Sequence, residues 1–177
     1  MKNKQVKIII ALMVLFAIII AGALFLNRDA IEAGKEAQRD KTITFTSAGE
    51  TICVLDQETI KGFPSQEFEA TIRSHGMKPE YVVYTGVDIH YVLEAAGIHP
   101  AGKDRLHFKG ADAYLAAVDA DELEKEGRVF IVYEKDGQEM EPKAKGGDGP
   151  YQLILLDDSF SQRWCKYLSE IEWEKGK

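Results

Sequence analysis

The sequence predicts an α+β domain of mixed β-sheets with a few short helices, set behind an N-terminal transmembrane helix. Three observations carry this reading. The chain has an uncharged run of nineteen residues at Ile8–Leu26. Beyond Lys41, short stretches rich in Val, Ile, Thr, Tyr and Phe recur between clusters of Gly, Pro, Asp and Ser, as strands do between turns. Only short segments there show a helical period, the clearest being Ile89–Ala96.

The apolar run comes first. Nineteen helical residues reach about 28 Å, close to the hydrocarbon thickness of a bilayer. Lys2, Lys4 and Lys7 precede it, so residues 1–7 are expected as a cytoplasmic tail and the rest of the chain as extracytoplasmic. Its length favours an uncleaved signal anchor over a cleaved leader, whose apolar region is usually about 7–15 residues. Residues 27–41 are polar and read as a solvated spacer, helical beyond Asp29. Residues 42–177 then form one domain, enough for one hydrophobic core and too few for two. The chain carries a net charge of −7, and its exported part is more acidic still without the three N-terminal lysines. Such a balance speaks against nucleic acid as a partner, since that needs basic patches to displace counterions.

Within the domain, Thr42–Thr46 and Glu50–Leu55 flank Ser47-Ala48-Gly49, which predicts a hairpin. Asp56 caps a helical turn over Asp56–Lys61, stopped by Gly62 and Pro64. Phe68–Ser74 reads as a strand. Asp88 is placed to cap a helix with Ile89, Val92, Leu93 and Ala96 on its apolar face. Val87 and Val92 form a hydrophobic staple, and Gly97 supplies the left-handed C-terminal cap. Asp104–Lys109, Ala113–Val118, Arg128–Glu134, Tyr151–Leu156 and Arg163–Trp173 are further strand candidates, with a short helix at Asp119–Lys125 closed by Gly127.

Two stretches stand out in this order: Tyr84–Gly97 (YTGVDIHYVLEAAG) and Gly149–Trp173 (GPYQLILLDDSFSQRWCKYLSEIEW). Between them lie Gly110-Ala111-Asp112-Ala113-Tyr114 and Phe130–Gly137, which enters an Asp-Gly turn. Together, over roughly Thr42–Trp173, they resemble the molybdopterin-binding domain of the sulfite oxidase family. The resemblance implies that family's fold and a molybdopterin cofactor. By position it implies an ancestral pocket at Ser74, His75, Tyr84, Thr85, Gly86, Lys143, Gly149 and Gln152.

The sequence departs from the family pattern where chemistry is concerned. Family enzymes hold molybdenum through one cysteine thiolate, in a Cys-x-Gly-like element ahead of the Thr-Gly-Val block. Here Ser74-His75-Gly76 stands at that place. An alcohol stays protonated where a thiol ionises readily on a metal, so Ser74 does not replace the thiolate. Gln152 stands near where the enzymes often carry an arginine, and a neutral amide lacks the fork of donors that suits phosphate or carboxylate.

The remaining candidates are fewer. Cys53 and Cys165 form a candidate disulfide, since an even cysteine count outside the cytoplasm favours pairing; two buried free thiols are the alternative. Of His75, His90, His99 and His107, none has metal-ligand spacing, and only His75 adjoins the pocket. His90 is expected in solvent. The Gly-rich loop Lys143–Pro150 could cradle an anion with its amides and lysines, though it lacks a P-loop ending. Two functions follow. One is a membrane-anchored extracytoplasmic module that binds a ligand, or an envelope or redox protein partner, without molybdenum catalysis and without a bound cofactor or metal. The alternative is a molybdopterin-dependent oxidoreductase.

Overall fold

A computed structural model describes residues 2–26, 28–73 and 76–176. The chain divides into two compact units, Met1–Ala33 and Gly34–Lys177. The first unit holds helix α1 (Lys2–Leu26) and the start of helix α2 (Arg28–Asp40). Gln5–Ala23 in α1 is long and apolar enough to cross a membrane, and none of it is buried within the protein.

The second unit begins inside α2. Gly34, Ala37 and Gln38 are buried, at the i, i+3, i+4 spacing of one helix face. A Cβ on Gly34 would sit 3.2 Å from Ala111, so the helix approaches closely there. The second half of the segment expected as a solvated spacer is therefore packed, because small residues recur on one face of it.

The domain consists of two five-stranded sheets. One has the order β2 (Glu50–Leu55), β1 (Ile43–Ser47), β10 (Leu168–Glu174), β5 (Arg105–Gly110), β6 (Leu115–Asp119). Its β1–β10 pair is parallel, and its other pairs are antiparallel. The other sheet runs β3 (Ser65–Ile72), β4 (Glu80–Asp88), β7 (Val129–Lys135), β8 (Gln138–Glu139), with β9 (Gln152–Leu155) also paired to β7. Phe45, Phe108 and Ile171 from the first sheet share one apolar cluster with Val82, Tyr84, Phe130 and Leu153 from the second.

Local signals form the elements they predict. Asp56 accepts from the Thr59 amide at 2.9 Å and caps α3 (Gln57–Gly62). Asp88 caps α4 (Ile89–Ala95) through the His90 amide at 2.9 Å, and Gly97 follows at φ 69°. Asp119 and Glu122 make a reciprocal capping box at α5 (Ala120–Leu123). Asp136 and Gly137, at φ 51° and 72°, turn β7 into β8, as a two-residue hairpin requires.

Three expectations are corrected. The predicted strand Arg163–Trp173 is strand only from Leu168 on, within β10. Its start is a 3₁₀ turn, where Arg163 is held by Glu122 at 2.9 Å and by Asp158 at 2.6 Å. His90 is half-buried, with its Nδ1 2.6 Å from Asp88 Oδ1, because the capping carboxylate reaches both the amide and the ring. Cys53 and Cys165 are free thiols. Cys53 lies on β2, while Cys165 Sγ lies 3.4 Å from where a Cβ on Gly110 of β5 would be. Three strand spacings separate those strands, roughly 14 Å, against the limit of about 7 Å between bridged Cα atoms.

Candidate functional site

Strand β4 carries the centre of the site. Tyr84 is 1% exposed. Phe68, its partner on β3, lies 6.4 Å away between ring centroids, and Trp164 meets the Tyr84 ring edge-on at 6.2 Å. Burial first, then the carboxylates of Asp148, Glu80 and Asp136, pushes the Tyr84 phenol above its ordinary range. It stays a neutral hydroxyl at any physiological pH.

Register places Gln152 on the same face. Phe68 packs against Phe130 at 4.5 Å, Phe130 shares its face with Val132 two residues on, and Val132 pairs with Gln152. Val132 also pairs with Gly86 on its other side, so Gly86, Val132 and Gln152 form one row across three strands. Gln152 is 2% exposed, and its Oε1 accepts no hydrogen bond among the described residues. Gly86 does not line open space: a Cβ there would meet Ile131 O at 2.5 Å and the Val132 Cα at 2.7 Å. Its role is the close approach of β4 to β7 at their register shift. Thr85, one residue from Tyr84, alternates to the opposite face and pairs with Glu134.

Four amides of the Gly-rich loop close it on itself, while the Lys143 amide donates to Gln38 Oε1. Lys145 and Gly147 donate to Pro142 O, Gly146 to Lys143 O, and Gly149 to Glu141 O at 2.9 Å. A Cβ on Gly149 would meet Met140 at 2.5 Å. The lysines are engaged as well: Lys143 Nζ sits 5.0 Å above the Tyr167 ring, and Lys145 Nζ pairs with Glu141 at 2.9 Å. Those four amides close the turn and are not free for an anion. Asp148 is the loop's link to Tyr84; it binds Lys166 at 3.0 Å and lies 3.9 Å from Lys135. Trp164, Asp148, Lys135 and Lys166 belong to this site beyond the residues picked from the sequence. Trp164 and Lys166 lie in the Gly149–Trp173 stretch that carries the resemblance, but nothing local places them against Tyr84.

Ser74 and His75 lie outside the described residues. The preceding Arg73 is tied to Ser161: its amide donates to Ser161 Oγ at 3.2 Å, and its carbonyl accepts from the Ser161 amide and hydroxyl. The structure thus brings Tyr84, Gly86 and Gln152 to one face. It sets Lys143 and Gly149 in the neighbouring loop and turns Thr85 away.

A molybdenum–pterin group needs a thiolate and donors for its phosphate, and the described residues fit it poorly. Cys165 is fully buried, its thiol pushed up to about 12 by burial and then by Asp112. Cys53 stands on the far edge of the other sheet. No group of three or more His, Cys, Asp or Glu ligands gathers among the described residues. Gln152 offers a neutral amide, and the site's cations, Lys135 and Lys166, are engaged with Asp148.

The sequence model of a family described as "Oxidoreductase molybdopterin binding domain" matches residues 36–177. The fold is similar to the crystal structure of the sulfane dehydrogenase SoxCD from Paracoccus pantotrophus, at 15% identity and a TM-score of 0.59. That match covers 76% of this chain and 38% of the other, so this chain spans well under half the length of that relative. No curated protein matches the sequence.

Proposed function

The chain belongs to the oxidoreductase molybdopterin-binding domain family, and from that premise we propose that it is a membrane-anchored, extracytoplasmic module of this fold that binds a ligand or protein partner without molybdenum catalysis. The observation that carries this reading is the donor set around Tyr84. A family enzyme needs a thiolate there and a cationic fork for an anion; this face presents the neutral Gln152, whose Oε1 has no donor among the described residues, and the site's two lysines, Lys135 and Lys166, face Asp148. Ser74 adds an alcohol at the position that the family gives to cysteine.

The topology proposed is a cytoplasmic tail at residues 1–7, an anchor at 8–26, a connecting segment at 27–41 whose residues from Gly34 on pack onto the domain, and the exported domain at 42–177. The lysines ahead of the apolar run support this orientation. Protease added from outside should digest the domain, and the protein should stay in the membrane fraction through a high-salt wash, since an apolar span does not respond to salt.

Elemental analysis tests the functional reading. Protein purified from a host that synthesises molybdopterin should contain no stoichiometric molybdenum and show no sulfite- or sulfoxide-linked electron transfer. Ser74→Cys alone should not restore activity, because Gln152 remains. Molybdenum near one per chain in the unmodified protein would replace this reading with that of a molybdopterin-dependent oxidoreductase, its metal completed by a ligand other than a thiolate.

A further inference from the structure

Strand β2 is an outer strand, hydrogen-bonded only to β1 among the described residues. Its free side therefore offers unpaired amides and carbonyls. Proteins blunt such edges with charge, proline, bulges or brevity. Strand β3 follows that rule, with exposed Glu67 and Glu69. Strand β6 is shorter and rich in alanine, a poor strand former. Strand β2 differs: Thr51-Ile52-Cys53-Val54-Leu55 carries no charge and no proline, and it is built from residues of high strand propensity. Ile52 and Val54 are 42% and 52% exposed. Ile52 is the extra residue of a β-bulge, since Phe45 pairs with Cys53 and Thr46 with Thr51; the bulge twists the edge locally but adds no charge to it.

The charge around this edge selects its occupant. From Thr42 to Ile60 the only charged residues are Glu50, Asp56 and Glu58, and all three are exposed. The lysines bracketing that stretch, Lys41 and Lys61, turn to Glu139 at 2.5 and 3.6 Å. On the same sheet, β10 sets Glu170 beside Thr44 and Glu172 beside Thr46, and the two carboxylates share Lys109 at 2.9 Å each. An apolar, unpaired edge is thus framed by excess negative charge. A second copy would bring the same acids; pairing antiparallel about Cys53 would set Glu50 against Asp56 and repel at both ends.

We propose that β2 is a docking edge for an extended segment of a partner protein, with alternating β-branched residues between basic ends, added as a sixth strand. Main-chain hydrogen bonds along Thr51–Leu55 supply the binding, Ile52 and Val54 select β-branched neighbours, and Glu50, Asp56 and Glu58 select the basic flanks. This surface is separate from the Tyr84 face, so it stands or falls independently of the cofactor question.

The test uses the full chain in phosphatidylcholine nanodiscs and a fluorescein-labelled peptide, KTVTVTVK, against its acidic counterpart ETVTVTVE. The basic peptide should bind at least tenfold more tightly and lose affinity as salt rises from 50 to 500 mM. Ile52→Lys and Val54→Lys should each weaken it at least tenfold. Because those variants could misfold, hydrogen exchange on the unmodified protein supplies a second readout: the peptide should protect the amides of residues 51–55 and leave β3 and β6 unchanged. No binding, equal binding of the two peptides, or protection at another edge would overturn the proposal. So would self-association that Val54→Lys abolishes, which would make a second copy the occupant.

Discussion

Replacing Gln152 with methionine should stabilise the domain. Gln152 is 2% exposed, yet its Oε1 receives no hydrogen bond among the described residues. A buried polar atom left without a partner costs about 1–3 kcal/mol. Methionine is close to glutamine in length and volume and flexible enough to fill the same space beside Val132, so little packing is lost. The expected gain is about 1–2 kcal/mol. With a urea m-value of roughly 2 kcal/mol/M, the midpoint should rise by about 0.5–1 M. Gln152→Glu provides the opposite control: a carboxylate in that place has its pKa raised by burial, so the folded state binds the extra proton and stability should fall as pH rises from 5 to 8. Chemical denaturation of the three proteins at matched pH decides the matter. If Gln152→Met loses 1 kcal/mol or more, the carbonyl is paired in solution by water or by a ligand. The Tyr84 face would then be a working polar site and not an inherited one.

Glu139 ties the β8 hairpin to α3 and the chain after α2; its carboxyl is held down at about 2 by hydrogen bonds from Lys41 and then from Gln57. The stability it lends is present above its unfolded value near 4.5 and lost as pH falls towards 2. Glu139 is 40% exposed, so screening limits the effect, and Glu139→Gln should cost about 1 kcal/mol at pH 7, shrinking in acid denaturation curves. Gly97 sits at φ 69° beyond α4, and Gly97→Val should cost about 1–2 kcal/mol because a β-branched residue resists that conformation; an unchanged melting temperature would contradict the helix end described here. Both cysteines should titrate as thiols in denatured, non-reduced protein, and in native protein iodoacetamide should modify half-buried Cys53 well before Cys165, as peptide mass spectrometry can show.

The elements that the sequence determined by itself are those whose causes lie within a few residues. Asp88, the apolar spacing after it and Gly97 define α4 before any tertiary contact forms. Asp136-Gly137 and Ser47-Ala48-Gly49 define their hairpins, and the uncharged run defines a helix able to span a bilayer. The family was legible too, because the Tyr84–Gly97, Gly110–Tyr114, Phe130–Gly137 and Gly149–Trp173 stretches follow one another in the family's order. What joins distant strands was not legible. The pairing of β1 with β10 across more than a hundred residues, and the row Gly86–Val132–Gln152, depend on which surfaces pack together. The same packing holds Cys53 and Cys165 apart and sets Trp164 against Tyr84. The Gly-rich loop is the sharpest case: its composition leaves its amides equally free to face an anion or to close the turn. Only the folded backbone, with Glu141 and Pro142 carbonyls in reach, commits those donors inward. Hydrogen-bonding capacity is a property of residues, but its satisfaction is a property of the packed chain.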